Sequence, residues 1–455
     1  MRSEAMLITG GTILTVNEQD EIIRDGAILV ENGRIADIGP SKRLLSKYTG
    51  VQVLDASGQV VMPGLINLHL HSGLIRGTAE DLPVFEWLSR YVDPKHRALQ
   101  QEEAYAAARL CYAEGIKSGT TSVLDMYRFV HRCADAAEEM GIRATFAPYV
   151  ADRPGYDYFE TLESNRRLIE DRNGSAEGRI NVWIGLEHLA YCTEEAYREA
   201  AKMAEKYNTG IHTHGEESLE MSKKVYEKYG RWPVELFYDR GILGPRTVLA
   251  HCVWMQESEL QLMAKMGSSV AHCPVSNLKL ASGIAPIIEM HQHGITVGIG
   301  TDGVKENNNL DMLEEIKFVP LLQKVKHYDA TLLKAEKVIR MATIDGARAL
   351  GLEREIGSIE IGKKADIITV DFRKLHMTPI LTDSYANITS NLVYSAQGND
   401  VQNVIIDGKI IMKNRELLTI DEEEVRLAGQ QAAESLLARR EAFIPKEYQF
   451  QGNKL

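Results

Sequence analysis

The reading of the fold turns on Pro63-Gly64-Leu65-Ile66-Asn67-Leu68-His69-Leu70-His71, a short apolar run that closes on two histidines. Four to eight apolar residues bounded by turn formers suit a strand buried on both faces. Working outward, the same design recurs at Thr121-Ser122-Val123-Leu124, Ala144-Thr145-Phe146-Ala147, Val182-Trp183-Ile184-Gly185-Leu186, Gly210-Ile211-His212-Thr213, Thr247-Val248-Leu249-Ala250, Ser269-Val270-Ala271 and Thr296-Val297-Gly298-Ile299-Gly300. Helical periodicity fills the gaps, as in 102–117, 134–140, 193–207 and 257–266, where Thr193 is placed to cap a helix start. Eight strand-then-helix units in succession specify a closed (β/α)8 TIM-like barrel more economically than an open sheet.

The polar residues fall at the ends of these runs. His69-Leu70-His71 ends the first, Glu187-His188 the fourth, His212-Thr213-His214 the fifth, His251 the sixth, His272 the seventh and Thr301-Asp302-Gly303 the eighth. In a barrel all the C-terminal strand ends meet at one mouth, where barrel enzymes build their sites. Seven of the 13 histidines gather there.

The two ends of the chain read differently, as short β-branched runs with hairpin signals at Asn32-Gly33 and Asp407-Gly408. Neither end has enough strands to bury its own apolar faces, so both are expected to join in one small β-sandwich. The expected division is a sandwich from 1–60 and 353–455 with a C-terminal helix, and a barrel over 61–352. The helical stretches 335–350 and 422–442 are expected outside the barrel or on the sandwich.

Composition narrows the function. The 455 residues are 44% hydrophobic and 25% charged, with 52 basic against 64 acidic side chains and a net charge of -12. An acidic balance argues against nucleic acid or an anionic membrane as partner. No apolar stretch reaches the length of a membrane span, and no secretory signal is read at the N-terminus. Five scattered cysteines without a CxxC pair point to a reducing, cytoplasmic setting rather than a disulfide framework.

Alternation along a strand turns His69 and His71 to the same side, where both can hold one ion. His-x-His also occurs on strands that bind nothing, but His214 and Asp302 add nitrogen and oxygen ligands from across the barrel, leaving room for a solvent molecule. Glu217, three residues past His214, is placed to shuttle a proton between activated water and a leaving group. His251 either ligates the metal or orients water. His188 suits a substrate hydrogen bond, and His212 and His272 suit core or supporting positions.

Taken together, these segments and Ala250-His251-Cys252-Val253, Ser276-Asn277-Leu278-Lys279-Leu280-Ala281-Ser282-Gly283 and Gly300-Thr301-Asp302-Gly303 resemble the amidohydrolase superfamily, and within it the ATZ/TRZ branch of deaminases and triazine hydrolases. The resemblance covers almost the whole chain. It implies one divalent metal, zinc first and iron as the alternative, held by His69, His71, His214 and Asp302. Catalytic roles follow for Glu217, His251 and Asp302, with a homo-oligomeric assembly and a small heterocyclic substrate. Trp87, His96 and His188 are the implied substrate contacts. The implied reaction removes an exocyclic amine from a purine, pterin or related ring. A triazine hydrolase displacing chloride or alkylamine, and a non-catalytic scaffold, are the alternatives. Two positions depart from the adenosine-type enzymes: His96 stands where those carry a glutamate for ribose hydroxyls, and Pro148-Tyr149-Val150 where they carry a basic residue.

Overall fold

A computed structural model describes residues 5–78, 80–82, 84–381 and 386–446. Among these residues two sheets are wholly parallel. Leu65–Leu70, Thr120–Asp125, Arg143–Phe146 and Ile180–Val182 pair in that order, and Ile184–Leu186, Ile211–Gly215, Thr247–His251, Ser269–His272 and Val297–Ile299 pair in theirs. Every strand in both sheets is buried along nearly its whole length, as strands covered on both faces must be. Helices follow the strands, among them Gln101–Lys117, Val130–Met140, Glu194–Tyr207 and Glu257–Met266. Thr193 caps its helix by accepting from the Ala196 backbone N–H.

The expected fourth strand is broken. Trp183 separates Ile180–Val182 from Ile184–Leu186, because the first piece pairs with the third strand and the second piece with the fifth. Asn165, from the helix Leu162–Arg172, holds the break: its amide donates to Trp183 O and its carbonyl accepts from Gly185 N. The helix expected over 335–350 is also broken, into Ala335–Met341 and Ile344–Ala349. The interruption leaves the Ala342 carbonyl to accept from Ile66 N of the first parallel strand at 2.9 Å.

Both ends of the chain enter one nine-stranded sheet. Gln59–Pro63 pairs antiparallel with Ile367–Asp371 and parallel with Met6–Leu14, so strands from the two termini are continuous rather than separate. The hairpins turn at the expected places, with Glu31 opposite Arg34 and Ile406 opposite Lys409. Met6, Ile8, Ile28, Val30, Ile35, Ile367 and Ile405 bury one face, while Leu7, Ala27, Leu29 and Leu44 bury the other. A bidentate ion pair, Arg143 Nε to Asp366 Oδ2 at 2.8 Å, ties this sheet to the third parallel strand. The last long helix, Glu422–Arg440, lies on Gln101–Lys117 through Arg109–Glu424 and Lys117–Glu422. Among the described residues no helix is long and apolar enough to cross a membrane.

Candidate metal centre

Four of the predicted residues converge from three strand ends. His69 and His71 lie at the end of Leu65–Leu70, His214 in Ile211–Gly215, and Asp302 just past Val297–Ile299. His71 Nε2 is 3.2 Å and His69 Nε2 3.5 Å from Asp302 Oδ1, and His214 Nε2 is 3.3 Å from His71 Nε2. All four side chains are buried.

Their second ring nitrogens decide what the first can do. His71 Nδ1 lies 2.7 Å from the Met126 carbonyl and His214 Nδ1 2.5 Å from the Glu187 carbonyl. A carbonyl only accepts, so both Nδ1 atoms carry the proton and both Nε2 atoms present lone pairs. His69 reaches the same state through a relay. His212 Nδ1 donates to Val248 O at 2.8 Å, leaving His212 Nε2 to accept from His69 Nδ1, also at 2.8 Å. His69 Nε2 is then a buried lone pair with no hydrogen-bond partner among the described residues. Three convergent imidazole lone pairs beside a carboxylate repel one another unless a cation lies between them, and nitrogen and oxygen donors of this kind suit zinc. Burial, joined by mutual repulsion, holds the His71 and His214 imidazoles well below their ordinary pKa, so they stay neutral. Burial pushes the Asp302 carboxyl up, whereas the Ser276 hydroxyl and the Gly303 N–H, both donating to its oxygens, favour the carboxylate.

The backbone is shaped around this cluster. Asp302 has φ 62° and His251 φ 69°, unusual for residues other than glycine. The Asp302 turn is held by its N–H donating to His69 O at 3.0 Å and by Gly303 N donating to Asp302 Oδ1 at 2.8 Å. Gly300 allows the approach, since a Cβ there would lie 2.8 Å from the His69 backbone nitrogen.

His251 Nε2 is 3.8 Å from Asp302 Oδ2, and its Nδ1 donates to Asn277 Oδ1 at 3.0 Å. It joins His69 and Asp302 in a group able to share an ion. Glu217 lines the same cleft, together with Trp87, His96, Tyr149, His188, Lys305 and others. Enclosure there raises the Glu217 carboxyl above its ordinary pKa, partly offset by His251. His188 accepts from Ala190 N at Nδ1, so its Nε2 carries the proton, and burial lowers its pKa to about 4. His96 and Trp87 are buried at the cleft, and the His96 ring stacks on Phe159 and meets Tyr149 edge-on.

Two contributors lie outside the roles read from the sequence. Ser276 donates to Asp302 Oδ2 at 2.6 Å. Glu306 forms a group with His71 and Asp302 whose candidate ligand atoms lie within 4.8 Å of one another, and burial raises its carboxyl to about 7. It lies in the loop just after Asp302, and the ordinary look of a Lys-Glu pair there hides it.

The model of the Amidohydrolase family matches residues 60–411. A protein named 5'-deoxyadenosine deaminase from Methanosarcina acetivorans is 39% identical over 440 residues, covering 96% of this chain and 99% of that one. A 5-methylthioadenosine/S-adenosylhomocysteine deaminase from Pelotomaculum thermopropionicum is 38% identical over 437 residues, covering 95% of this chain and 99% of that one. Among solved structures, an adenosine deaminase from Xanthomonas campestris with bound zinc superposes with a TM-score of 0.90 at 29% identity, covering 95% of this chain and 98% of that one.

Proposed function

The chain belongs to the amidohydrolase family, and on that premise we propose that it is a zinc-dependent deaminase of an amino-substituted N-heterocycle. The observation that carries the reading is the set of Nε2 lone pairs of His69, His71 and His214 facing the Asp302 carboxylate. Deaminase names among the relatives, and bound zinc in the Xanthomonas campestris enzyme, support the reaction and the metal.

In the proposed architecture the two parallel sheets close into one (β/α)8 barrel over 61–352, and 1–60 with 353–455 form the β-sandwich. The hydrogen bond from Asp302 N to His69 O, which joins the first and last parallel strands, supports closure. Five free, buried cysteines suit a reducing cytoplasm.

His69, His71, His214 and Asp302 would hold the ion, which when bound supplies Lewis-acid activation of water. The overall change is ring C–NH2 plus water giving ring C=O plus ammonia. Asp302, free of a proton, accepts one from the attacking water, and Ser276 fixes its Oδ2. His251, anchored by Asn277, keeps Nε2 toward that water. Glu217, its carboxyl raised, can hold a proton and deliver it to the ring nitrogen beside the attacked carbon, neutralising charge as it develops there. His188 Nε2–H is a donor for the substrate at the cleft wall.

The test is ammonia release by the zinc-loaded protein across purines, purine nucleosides, pterins and s-triazines. Ammonia from one of the first three classes is the expected result. None from any class would overturn the reading.

A further inference from the structure

Glu306 is the least explained group in the cleft. It is 5% exposed, its Oε1 is paired with the Lys305 ammonium, and among the described residues its Oε2 has no hydrogen-bond partner. Leaving a buried carboxylate oxygen unpartnered is costly unless something else meets it. The loop is built to put it there. Glu306 N and Asn307 N both donate to Gly303 O, which folds the chain back on itself, and Asn307 Nδ2 pins the turn to Thr301 O at 2.8 Å. Gly303 is required, because a Cβ at that position would collide with Glu306 Oε2 and crowd the His71 Cβ. The Lys305 ammonium lies 5.6 Å over the Trp87 ring, so the ion pair lines the cleft between that indole and the His71–Asp302 side of the metal centre.

Glu306 is not needed as a ligand. His69, His71, His214 and Asp302 already supply the four donors that suit zinc, and Lys305 occupies the other carboxylate oxygen. Glu217 and Glu306 line the same cleft, Glu306 grouped with His71 and Asp302 and Glu217 within charge reach of His251, Asp302 and Lys305. A ring carbon attacked over the metal therefore has one flanking nitrogen served by Glu217 and the other directed toward Glu306. A carboxylate can only accept from that second nitrogen, so it must bear hydrogen, and the neighbouring ammonium must meet an acceptor next to it.

We propose that Lys305 and Glu306 read a lactam edge, N–H beside C=O, so that the substrate is a 2-amino-oxo ring of the guanine or pterin type. Glu306 Oε2 accepts from the ring N–H and Lys305 donates to the adjoining carbonyl. Adenine nucleosides offer a single acceptor nitrogen and a ring carbon beside the carbon that bears their amine, and would leave Glu306 unpaired. The proposal rests on the deaminase reading above and narrows its substrate.

The test compares guanine with 2-aminopurine, which carries the same C2 amine but lacks the lactam N–H and carbonyl, and adds pterin and adenosine. The zinc-loaded wild-type protein is expected to favour guanine or pterin over 2-aminopurine and adenosine by about 10–100-fold in kcat/KM, the range of a charge-assisted hydrogen bond. Glu306→Gln and Lys305→Met should lower kcat/KM for the lactam substrate by about 10-fold or more. Both should keep zinc content and thermal midpoint, and lower the 2-aminopurine rate clearly less than the lactam rate. A preference for adenosine, or equal loss on both ring types, overturns the proposal while the deaminase reading stands. Loss of zinc from Glu306→Gln overturns it by making Glu306 a ligand. Ammonia from none of the four, with release from other heterocycles, also overturns the lactam proposal alone.

Discussion

Replacing His212 with phenylalanine tests the logic of the metal centre without touching a ligand. The His212 ring is wholly buried, and among the described residues its hydrogen-bond partners are Val248 O and His69 Nδ1, both at 2.8 Å. Phenylalanine keeps the ring but removes the acceptor. The His69 Nδ1–H is then buried without a partner, at a cost of about 1–3 kcal/mol. Alternatively the proton moves to Nε2 and blocks the lone pair that faces Asp302. Either way zinc affinity falls, and about 10–100-fold is the usual scale for losing an outer hydrogen-bond partner of a ligating histidine, or roughly 1.4–2.7 kcal/mol. Competition against a fluorescent chelator measures it directly, with circular dichroism to confirm folding. His212→Gln, whose amide oxygen can stand where Nε2 stood, should restore most of the affinity. Zinc binding in H212F equal to wild type, or the same loss in H212Q, would refute the relay.

Three further outcomes are expected. Glu217→Gln should retain stoichiometric zinc by elemental analysis yet lose at least about 100-fold in kcat, the lower end for a proton-transferring group; an unchanged kcat removes Glu217 from proton transfer. Burial pushes the Lys95 ammonium down to about 7, so between that value and the unfolded 10.5 the unfolded chain holds a proton that the folded chain has lost. Stability should therefore rise with pH from about 7 to 9.5, with a slope of up to about 1.4 kcal/mol per unit, and Lys95→Met should flatten that slope in urea denaturation curves. Arg143→Met strands the buried Asp366 carboxylate and should cost about 3–5 kcal/mol in the same assay, with zinc content of the folded protein unchanged.

Much of the candidate site is legible in the sequence because its proposed ligands sit where a strand ends. Alternation places His69 and His71 on one side, and the barrel rule sends His214, His251 and Asp302 to the same mouth, so local pattern and one topological rule suffice. The hairpins at Asn32-Gly33 and Asp407-Gly408 are equally local, since a two-residue turn depends on its own backbone. The break at Trp183 is not, because it answers to pairing with strands on either side and to Asn165 from a helix.

By itself, then, the sequence determined the succession of strands and helices, the strand-end histidines and the acidic residue proposed to complete them, because each is a matter of periodicity along the chain. Tertiary structure alone decided which nitrogen of each histidine is bare, through carbonyls and a histidine far away in sequence, such as His212 for His69. It also decided that a loop doubling back over Gly303 brings Glu306 beside His71. Protonation state depends on contacts between distant segments, and only the folded chain makes those contacts.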